Sequence, residues 1–348
     1  MKRKFAVIKG NGQICLEESE LPPLKNNEVL IKVHNSLVSP GTEIGLVKRL
    51  RENHDSKMKP VAFGYANSGE IIEIKGDVKD LKVGMRVAAM GAGFAVHSNY
   101  ACVPVNLVAP IPDNVSFAQA SYACLGATAL NCVRRTVPQI GEYGLILGLG
   151  IVGNLTAQLC RLSGARVLAW ETIPSRMSIA AKCGTEHIIN PKEQDAVIIL
   201  KTFSAPYGAD FAVFAFGGDA DGAFKSVVDC MKVSPDTHQM GRVVLVGASR
   251  ISIEGGAALG NIDIRTASRT GPGYHDPAYE YGADYPNAFV EFTTQRNLRE
   301  IITLISEGRL LVDPITTHTM PVEKAAEAAD LLIEKPDKAL GIVFEMEH

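Results

Sequence analysis

The stretch from Tyr143 to Glu171 constrains this chain more than any other. It opens with an apolar run, Tyr143 to Leu147, of a length that suits a buried strand. Gly148, Gly150 and Gly153 follow in G-x-G-x-x-G spacing, and residues 151–163 then place Val152, Leu155, Leu159 and Leu162 at helical intervals. Gly164 stops that helix, and a second apolar run, Ala165 to Trp170, ends at Glu171. Strand, glycine turn, helix, strand and terminal acid in this order are the context of a dinucleotide fingerprint.

Each part has a physical role. Gly148 permits the tight turn out of the strand, Gly150 lets the backbone approach a pyrophosphate, and Gly153 allows close packing of helix on sheet. The amides at the helix start, at Ile151 and Val152, together with the helix dipole, suit phosphate oxygens. Glu171 at the tip of the second strand can accept from both ribose hydroxyls, and its charge repels a 2′-phosphate, so the expected cofactor is NAD. Arg176 follows closely and can contact either adenine or a 2′-phosphate, which pulls the other way; the alternative for Glu171 is a solvated acid at a strand end.

A length of 348 residues suits two domains. The net charge of −3 implies no nucleic-acid or other polyanionic partner. No apolar run reaches membrane-spanning length, and no signal-peptide run follows the basic start Met1-Lys-Arg-Lys-Phe. Seven scattered cysteines without a C-x-x-C pair read as free thiols in a reducing cytoplasm.

Before the glycine turn the chain reads as a turn-rich β unit. Strands are expected at Phe5 to Ile8 and at Glu28 to His34, with Val29, Ile31 and Val33 on one face; Pro60 to Ile74 runs from a loop into a strand, and Lys82 to Met90 from a turn into a strand. Residues 36–46 read as a turn around Pro40 and Gly41, and the charged residues 49–59 as a solvated loop. Beyond the turn, helices are expected at Met177 to Cys183 and Ala223 to Met231. Strands are expected at His187 to Asn190, Phe211 to Phe216, Arg242 to Gly247 and Asp263 to Thr266. Residues 270–287, rich in Gly, Pro and Tyr, cannot be core by composition; four tyrosines and His275 there suit hydrogen bonding to hydroxyls and stacking on sugar faces. A helix follows over 296–308, with Leu298, Ile301, Ile302 and Ile305 on its apolar face.

Several segments together carry a resemblance: Glu28-Val-Leu-Ile-Lys-Val, Gly41-Thr-Glu, Gly64-Tyr-Ala-Asn-Ser-Gly-Glu-Ile, Val83-Gly-Met-Arg-Val-Ala, His97-Ser-Asn-Tyr-Ala, Ala127-Thr-Ala and the glycine turn. Pro314-Ile-Thr-Thr-His and Lys338-Ala-Leu-Gly-Ile-Val extend it toward the C-terminus. The chain resembles the medium-chain dehydrogenase/reductase superfamily, which includes the zinc alcohol, sorbitol and threonine dehydrogenases. The resemblance implies an α/β protein with a GroES-like, β-rich catalytic domain over residues 1–123 and 296–348. A Rossmann domain with a doubly wound parallel sheet is implied over 124–295. It also implies cofactor contacts at Thr128, Phe216 and Gly247, and a homo-oligomer, dimer or tetramer, in which the last Rossmann strand often mediates dimerisation.

The resemblance implies a catalytic zinc held by a Cys, a His from a Gly-His-Glu motif and a further Cys or Glu. Position by position this chain departs from it. Pro40 stands for the first Cys, Tyr65 for the His and Ala66 for the following Glu; Cys124 alone survives. The four-cysteine structural-zinc lobe is also missing, and the expected metal set is none, with a rearranged set of Cys124, His54, His97 and Glu43 as the alternative. Thr42 matches the hydroxyl of the family's proton relay. Tyr65 stands where the metal-binding His would be, and its phenol suits hydrogen bonding to a developing oxyanion or acid catalysis. Glu43 matches an acid behind the metal site and can act as a base or hold Tyr65. Cys124, His97, Tyr274 and His275 are candidates for the substrate side, the first two also readable as core. The expected function is an NAD-dependent, zinc-independent oxidoreductase that interconverts a secondary alcohol and a ketone on a polyol, sugar or sugar-derived small molecule. The alternatives are an NAD(P)H-dependent quinone or enone reductase and a non-catalytic nucleotide-binding protein.

Overall fold

Six parallel strands carry the glycine turn. In the computed structural model, which describes residues 1–347, they lie in the order His187–Ile189, Arg166–Trp170, Tyr143–Leu147, Phe211–Phe214, Met240–Leu245, Asn261–Thr266. Each neighbouring pair is parallel. The chain runs outward from Tyr143–Leu147 to one edge and then returns to fill the other side. The crevice at this reversal is where open α/β sheets bind ligands, and the glycine turn leaves the sheet there. Helix Ile151–Leu162 is buried along most of its length, which fits its lack of a broad polar face.

Helix Ala196–Phe203 in the same unit was not assigned from the sequence. Its apolar run has no single-faced periodicity. The Asp195 side chain caps it by accepting from Ile198 N, and Leu200 is fully buried among Leu168, Trp170 and Phe214. Ile198 points outward at 61% exposure, so the residue that blurs the pattern is the one left in solvent.

The second unit is mostly antiparallel. Its seven-stranded sheet contains Glu28–Leu37, Ala66–Lys75 and Arg86–Met90, and the C-terminal strand Gly341–Glu345 pairs with Glu28–Leu37. Val29, Ile31 and Val33 are fully buried, as their alternation predicts. The turn expected over 36–46 is shorter than read. Helix Glu43–Glu52 starts inside it and runs into the stretch read as a charged loop. Ile44, Val47 and Leu50 bury one face at three-residue spacing while Lys48, Arg49 and Glu52 stay exposed, so the charges concealed a true amphipathic helix.

By internal packing the two compact units are residues 1–127 with 270–348, and residues 128–269. The second boundary therefore falls at 270 rather than 296, and the first at 128 rather than 124. Hydrogen bonds account for the larger difference. Asn27 Nδ2 donates to the carbonyl of Tyr281 at 2.7 Å, and Asn106 Nδ2 to that of Tyr279 at 2.7 Å. Tyr279 is 3% exposed, which corrects the reading of 270–287 as composition without core. The aromatic rings supply buried area that aliphatics supply elsewhere.

Among the described residues no helix is long and apolar enough to cross a membrane. All seven cysteines are free thiols, and only Cys15 is more than slightly exposed.

The anchor of the 270–295 segment is measurable. Glu28, 3% exposed, accepts from Tyr281 Oη at 2.9 Å and from Lys25 N at 2.8 Å. Burial first, then the bond to Glu28 and its charge, push the Tyr281 phenol up to about 12 from 10.0. A phenol held protonated in the fold gives stability that is complete below pH ~10 and is lost as pH climbs toward 12. Tyr281→Phe is expected to cost about 1.5–3 kcal/mol in denaturant unfolding at neutral pH, the range for a bond to a charged group, and to flatten the alkaline fall in stability. Unchanged stability at neutral pH would show that Glu28 does not hold the segment.

Candidate functional site

The glycine turn has the shape a pyrophosphate needs. Gly148 sits at φ +88°, a conformation that side chains disfavour, and donates to the carbonyl of Trp170 at 2.8 Å. A Cβ at Gly153 would lie 1.9 Å from the carbonyl oxygen of Gly148, so helix and turn meet only because residue 153 has no side chain. Gly150 is different. It precedes the helix with no side-chain cap, and a Cβ there would meet nothing within 4 Å. The space beside it is an open cradle. The first helical bond runs from Asn154 N to Gly150 O, which leaves the amides of Ile151, Val152 and Gly153 facing out of the helix start. The residues present therefore fit a dinucleotide.

Glu171 holds the turn's other wall. It is 6% exposed; its Oε2 accepts from Leu149 N at 2.7 Å, and its Oε1 from Thr172 N at 2.7 Å and Ile173 N at 2.9 Å. Three backbone amides orient the carboxylate and leave it with free lone pairs, since two carboxylate oxygens have about four acceptor sites. Arg176 lies close enough to feel this charge. Burial lowers its guanidinium and Glu171 opposes that shift, while its buried Nε has no hydrogen-bond partner. Phe216 and Gly247 sit side by side: a Cβ at Gly247 would lie 2.1 Å from the Phe216 carbonyl, which also accepts from Ser249 Oγ at 2.5 Å. Thr128, half-buried, lies on helix Ala123–Thr136.

In the other unit, the residues expected around a reacting oxygen form one polar cluster. Thr42 stands at the start of helix Glu43–Glu52 but makes no side-chain cap. Its hydroxyl and that of Ser39 hydrogen-bond the Tyr65 phenol instead. Burial, then the charge of Glu43 and the proximity of Cys124, push the Tyr65 phenol well above the ordinary tyrosine value, with the two hydroxyls pulling back. Tyr65 is a phenol at neutral pH, poised to donate. Glu43, 6% exposed, accepts from Ser39 N at 2.6 Å through Oε2. His97 is fully buried; its Nδ1 lies 2.8 Å from Ser36 Oγ, and its Nε2 lies 3.6 Å from Glu43 Oε2.

Cys124 is 3% exposed, and burial followed by Glu43 raises its thiol far above the usual range. It fills core behind Glu43 and presents no surface to a substrate, which corrects its assignment to the substrate side. Tyr274 Oη accepts from Ala92 N at 2.8 Å, while Gly91 N donates to the carbonyl of Tyr65 at 2.9 Å, so the tyrosine loop reaches the turn that the Tyr65 segment supports. His275 is exposed at φ +69° with its ring 3.9 Å from that of Tyr274.

Ser36 and Ser39 are the members of this cluster that sequence reasoning missed. Their signal was the pair of serines three residues apart ahead of Pro40, inside the stretch read as a turn. Among the described residues, no three His, Cys, Asp or Glu side chains converge as a metal-holding group, so neither the family's zinc set nor the rearranged one with His54 fits these residues.

Comparisons with known proteins point one way. Residues 25–113 match the family model described as alcohol dehydrogenase GroES-like domain, and residues 152–272 the one described as zinc-binding dehydrogenase. The L-threonine 3-dehydrogenase of Rhizobium etli (strain CIAT 652) is 25% identical over 278 residues, 72% of this chain and 78% of that protein. The sorbitol dehydrogenase of Bacillus subtilis (strain 168) is 28% identical over 246 residues, 62% of this chain and 69% of that protein. A solved oxidoreductase/dehydrogenase of unknown specificity from Escherichia coli shares the fold with a TM-score of 0.83 over 100% of both chains at 19% identity.

Two glycines of one turn should separate folding from binding. Gly150→Ala places a methyl in open space, so its melting temperature should stay within a degree or two, roughly, while dinucleotide affinity measured by calorimetry falls at least about tenfold. Gly153→Ala should destabilise the protein itself, because its methyl meets backbone. Unchanged affinity in Gly150→Ala would move the pyrophosphate elsewhere.

Proposed function

Because the chain belongs to the medium-chain dehydrogenase/reductase superfamily, we propose that it is an NAD-dependent, zinc-independent dehydrogenase that interconverts a secondary alcohol and a ketone on a polyol, sugar or sugar-derived substrate. The coarser statement, an oxidoreductase of the alcohol-dehydrogenase type, follows from the family itself. The observation that supports the finer one is the Tyr65 phenol, hydrogen-bonded by Thr42 and Ser39 and raised by burial and by Glu43; the resemblance matches Tyr65 to the family's zinc-binding histidine.

The cofactor, when bound, takes up or supplies the hydride at the reacting carbon. The chain's own residues do the rest. The amides of Ile151 and Val152 and the open side of Gly150 suit the pyrophosphate. Glu171 offers acceptors to ribose hydroxyls, and its charge opposes a 2′-phosphate, which supports NAD over NADP. In ketone reduction, Tyr65 gives its hydroxyl proton to the substrate oxygen, and Thr42 or Ser39 returns one along the hydrogen-bonded hydroxyls. In alcohol oxidation the same proton travels the other way. The phenol thereby replaces a metal cation in stabilising alkoxide character on oxygen. Tyr274 and His275, on a segment tied to the Gly91–Ala92 turn by the bond from Ala92 N to Tyr274 Oη, suit recognition of substrate hydroxyls. The names of the relatives, threonine and sorbitol dehydrogenases, agree with an alcohol substrate.

The test is turnover by protein purified with EDTA, its metal content read by elemental analysis, on a panel of polyols and sugars followed by NADH absorbance. Wild type should turn over without zinc and prefer NAD to NADP. Tyr65→Phe should lose about 10²-fold or more in kcat, the scale of one acid–base group, with NAD affinity unchanged. A stoichiometric zinc whose removal abolishes turnover would sink the mechanism.

A further inference from the structure

Tyr274 and His275 stand on a segment whose backbone is held at each of its unusual points. Gly271 and Gly273 adopt φ +117° and +101°, where glycine is the residue the backbone asks for. A Cβ at Gly273 would lie 2.4 Å from Cδ1 of Tyr279, so the Tyr279 ring packs directly onto that backbone. His275 comes two residues later at φ +69°. A third glycine would adopt this conformation without strain, yet the chain carries an imidazole here, and the residue is exposed. A strained backbone that keeps an exposed functional side chain points to a use for that side chain.

Glu280 supplies the restraint. It is 5% exposed, and its Oε1 accepts from His275 N at 2.8 Å. Burying a carboxylate is costly unless it is hydrogen-bonded, and a bond to an ionised acceptor is stronger than a neutral one. An apolar residue would end the short helix Pro277–Glu280 without that cost, so the acid is explained by the bond it makes. The helix itself is fixed. Asp276 Oδ1 accepts from Ala278 N at 3.1 Å, Tyr285 Oη donates to Asp276 Oδ2, and Asn106 Nδ2 donates to the Tyr279 carbonyl at 2.7 Å. At the other end of the pair, Ala92 N donates to Tyr274 Oη at 2.8 Å. Two rings are thereby set against each other, with centroids 3.9 Å apart and planes 31° apart.

We propose that Glu280 is a positioning residue which, by holding the His275 backbone, sets the His275–Tyr274 ring pair as the face that receives a closed-ring sugar. This rests on the reading of both rings as substrate contacts, and goes beyond it in naming the residue that orients them and the form of the sugar. Tyr274 covers one face of the imidazole, which leaves the other face and the nitrogen edge for a ligand. A pyranose chair has a flat face of C–H groups with hydroxyls around its rim. Its C–H groups can lie on a ring face while a rim hydroxyl reaches an imidazole nitrogen. An open-chain polyol must give up several torsional freedoms to lay down the same surface. A pair of rings held rigidly by Glu280 and Ala92 therefore favours the rigid form of the sugar.

The deciding measurement is sugar binding to the full chain, with and without NAD, followed by saturation-transfer NMR and titrated for affinity. The closed-ring probes are the methyl pyranosides of glucose, galactose and mannose; the open-chain probes are sorbitol, mannitol and galactitol. Wild type should bind at least one pyranoside, with saturation strongest on the C–H groups of one ring face. His275→Gly, to which φ +69° is freely open, should weaken that binding roughly three- to tenfold, the scale of one ring contact. Glu280→Ala should weaken it to the same extent, and Glu280→Gln, which retains an acceptor, should restore it. The double variant should lose no more than His275→Gly alone, a non-additivity that a merely structural acid would not produce. Should Glu280→Ala not fold, Glu280→Met, which fills the space without an acceptor, is read in its place. Full affinity in Glu280→Ala, or additive losses in the double variant, overturns the positioning role. Hexitols bound as tightly as the pyranosides, or no pyranoside bound, overturns the closed-ring assignment. Full affinity in His275→Gly removes the reading of the rings as substrate contacts and the proposal with it. These measurements need no turnover, so they stand apart from failure of the dehydrogenase reading. Where a pyranoside of the panel is oxidised, the loss in Glu280→Ala should fall on KM rather than on kcat.

Discussion

The contact between residue 153 and the carbonyl of Gly148 is the constraint on which the nucleotide-binding unit depends. It admits no side chain, and it brings the start of helix Ile151–Leu162 against the end of its strand. Only with the helix that close do the first amides and the dipole converge beside Gly150. Glu171 then closes the turn from the neighbouring strand by accepting from Leu149 N. The carboxylate proposed above for the ribose hydroxyls thus also braces the glycine turn.

This half of the molecule was legible because its signals are local. Strand Tyr143–Leu147, the turn and Glu171 stand where spacing put them, since period, glycine and terminal acid act within thirty residues or so. What was not legible depends on partners distant in sequence. Helix Glu43–Glu52 hid behind its charges, because Ile44, Val47 and Leu50 make a narrow stripe whose burial only the rest of the fold can supply. The segment after residue 270 read as surface because it lacks aliphatics. Its tyrosines are instead held by Asn27, Glu28 and Asn106, a set no local pattern reveals.

The polar cluster was half visible. Thr42, Glu43 and Tyr65 came from matching positions to a family motif, and the hydroxyl bonds to the phenol bring them together. Ser36 and Ser39 carried only a weak signal, because serine before a proline turn is common for reasons of backbone geometry alone. Cys124, the one surviving ligand position, proved the least informative. A small thiol at a buried site is compatible with packing and ligation alike until its neighbours are known.

The chemistry of the cluster follows from charge. By the resemblance, Pro40, Tyr65 and Ala66 stand at the family's zinc-ligand positions while the acid Glu43 remains. A carboxylate buried without a cation must find its compensation in hydrogen bonds and in any neighbour that can take up positive charge. Ser39 N supplies the first, and the His97 imidazole stands 3.6 Å from the same carboxylate. Tyr65 then inherits the field of whatever charge is left. Burial first, and that field second, raise the phenol well above the ordinary tyrosine value. Glu43 is thus the charge that, after burial, does most to hold the proton on Tyr65.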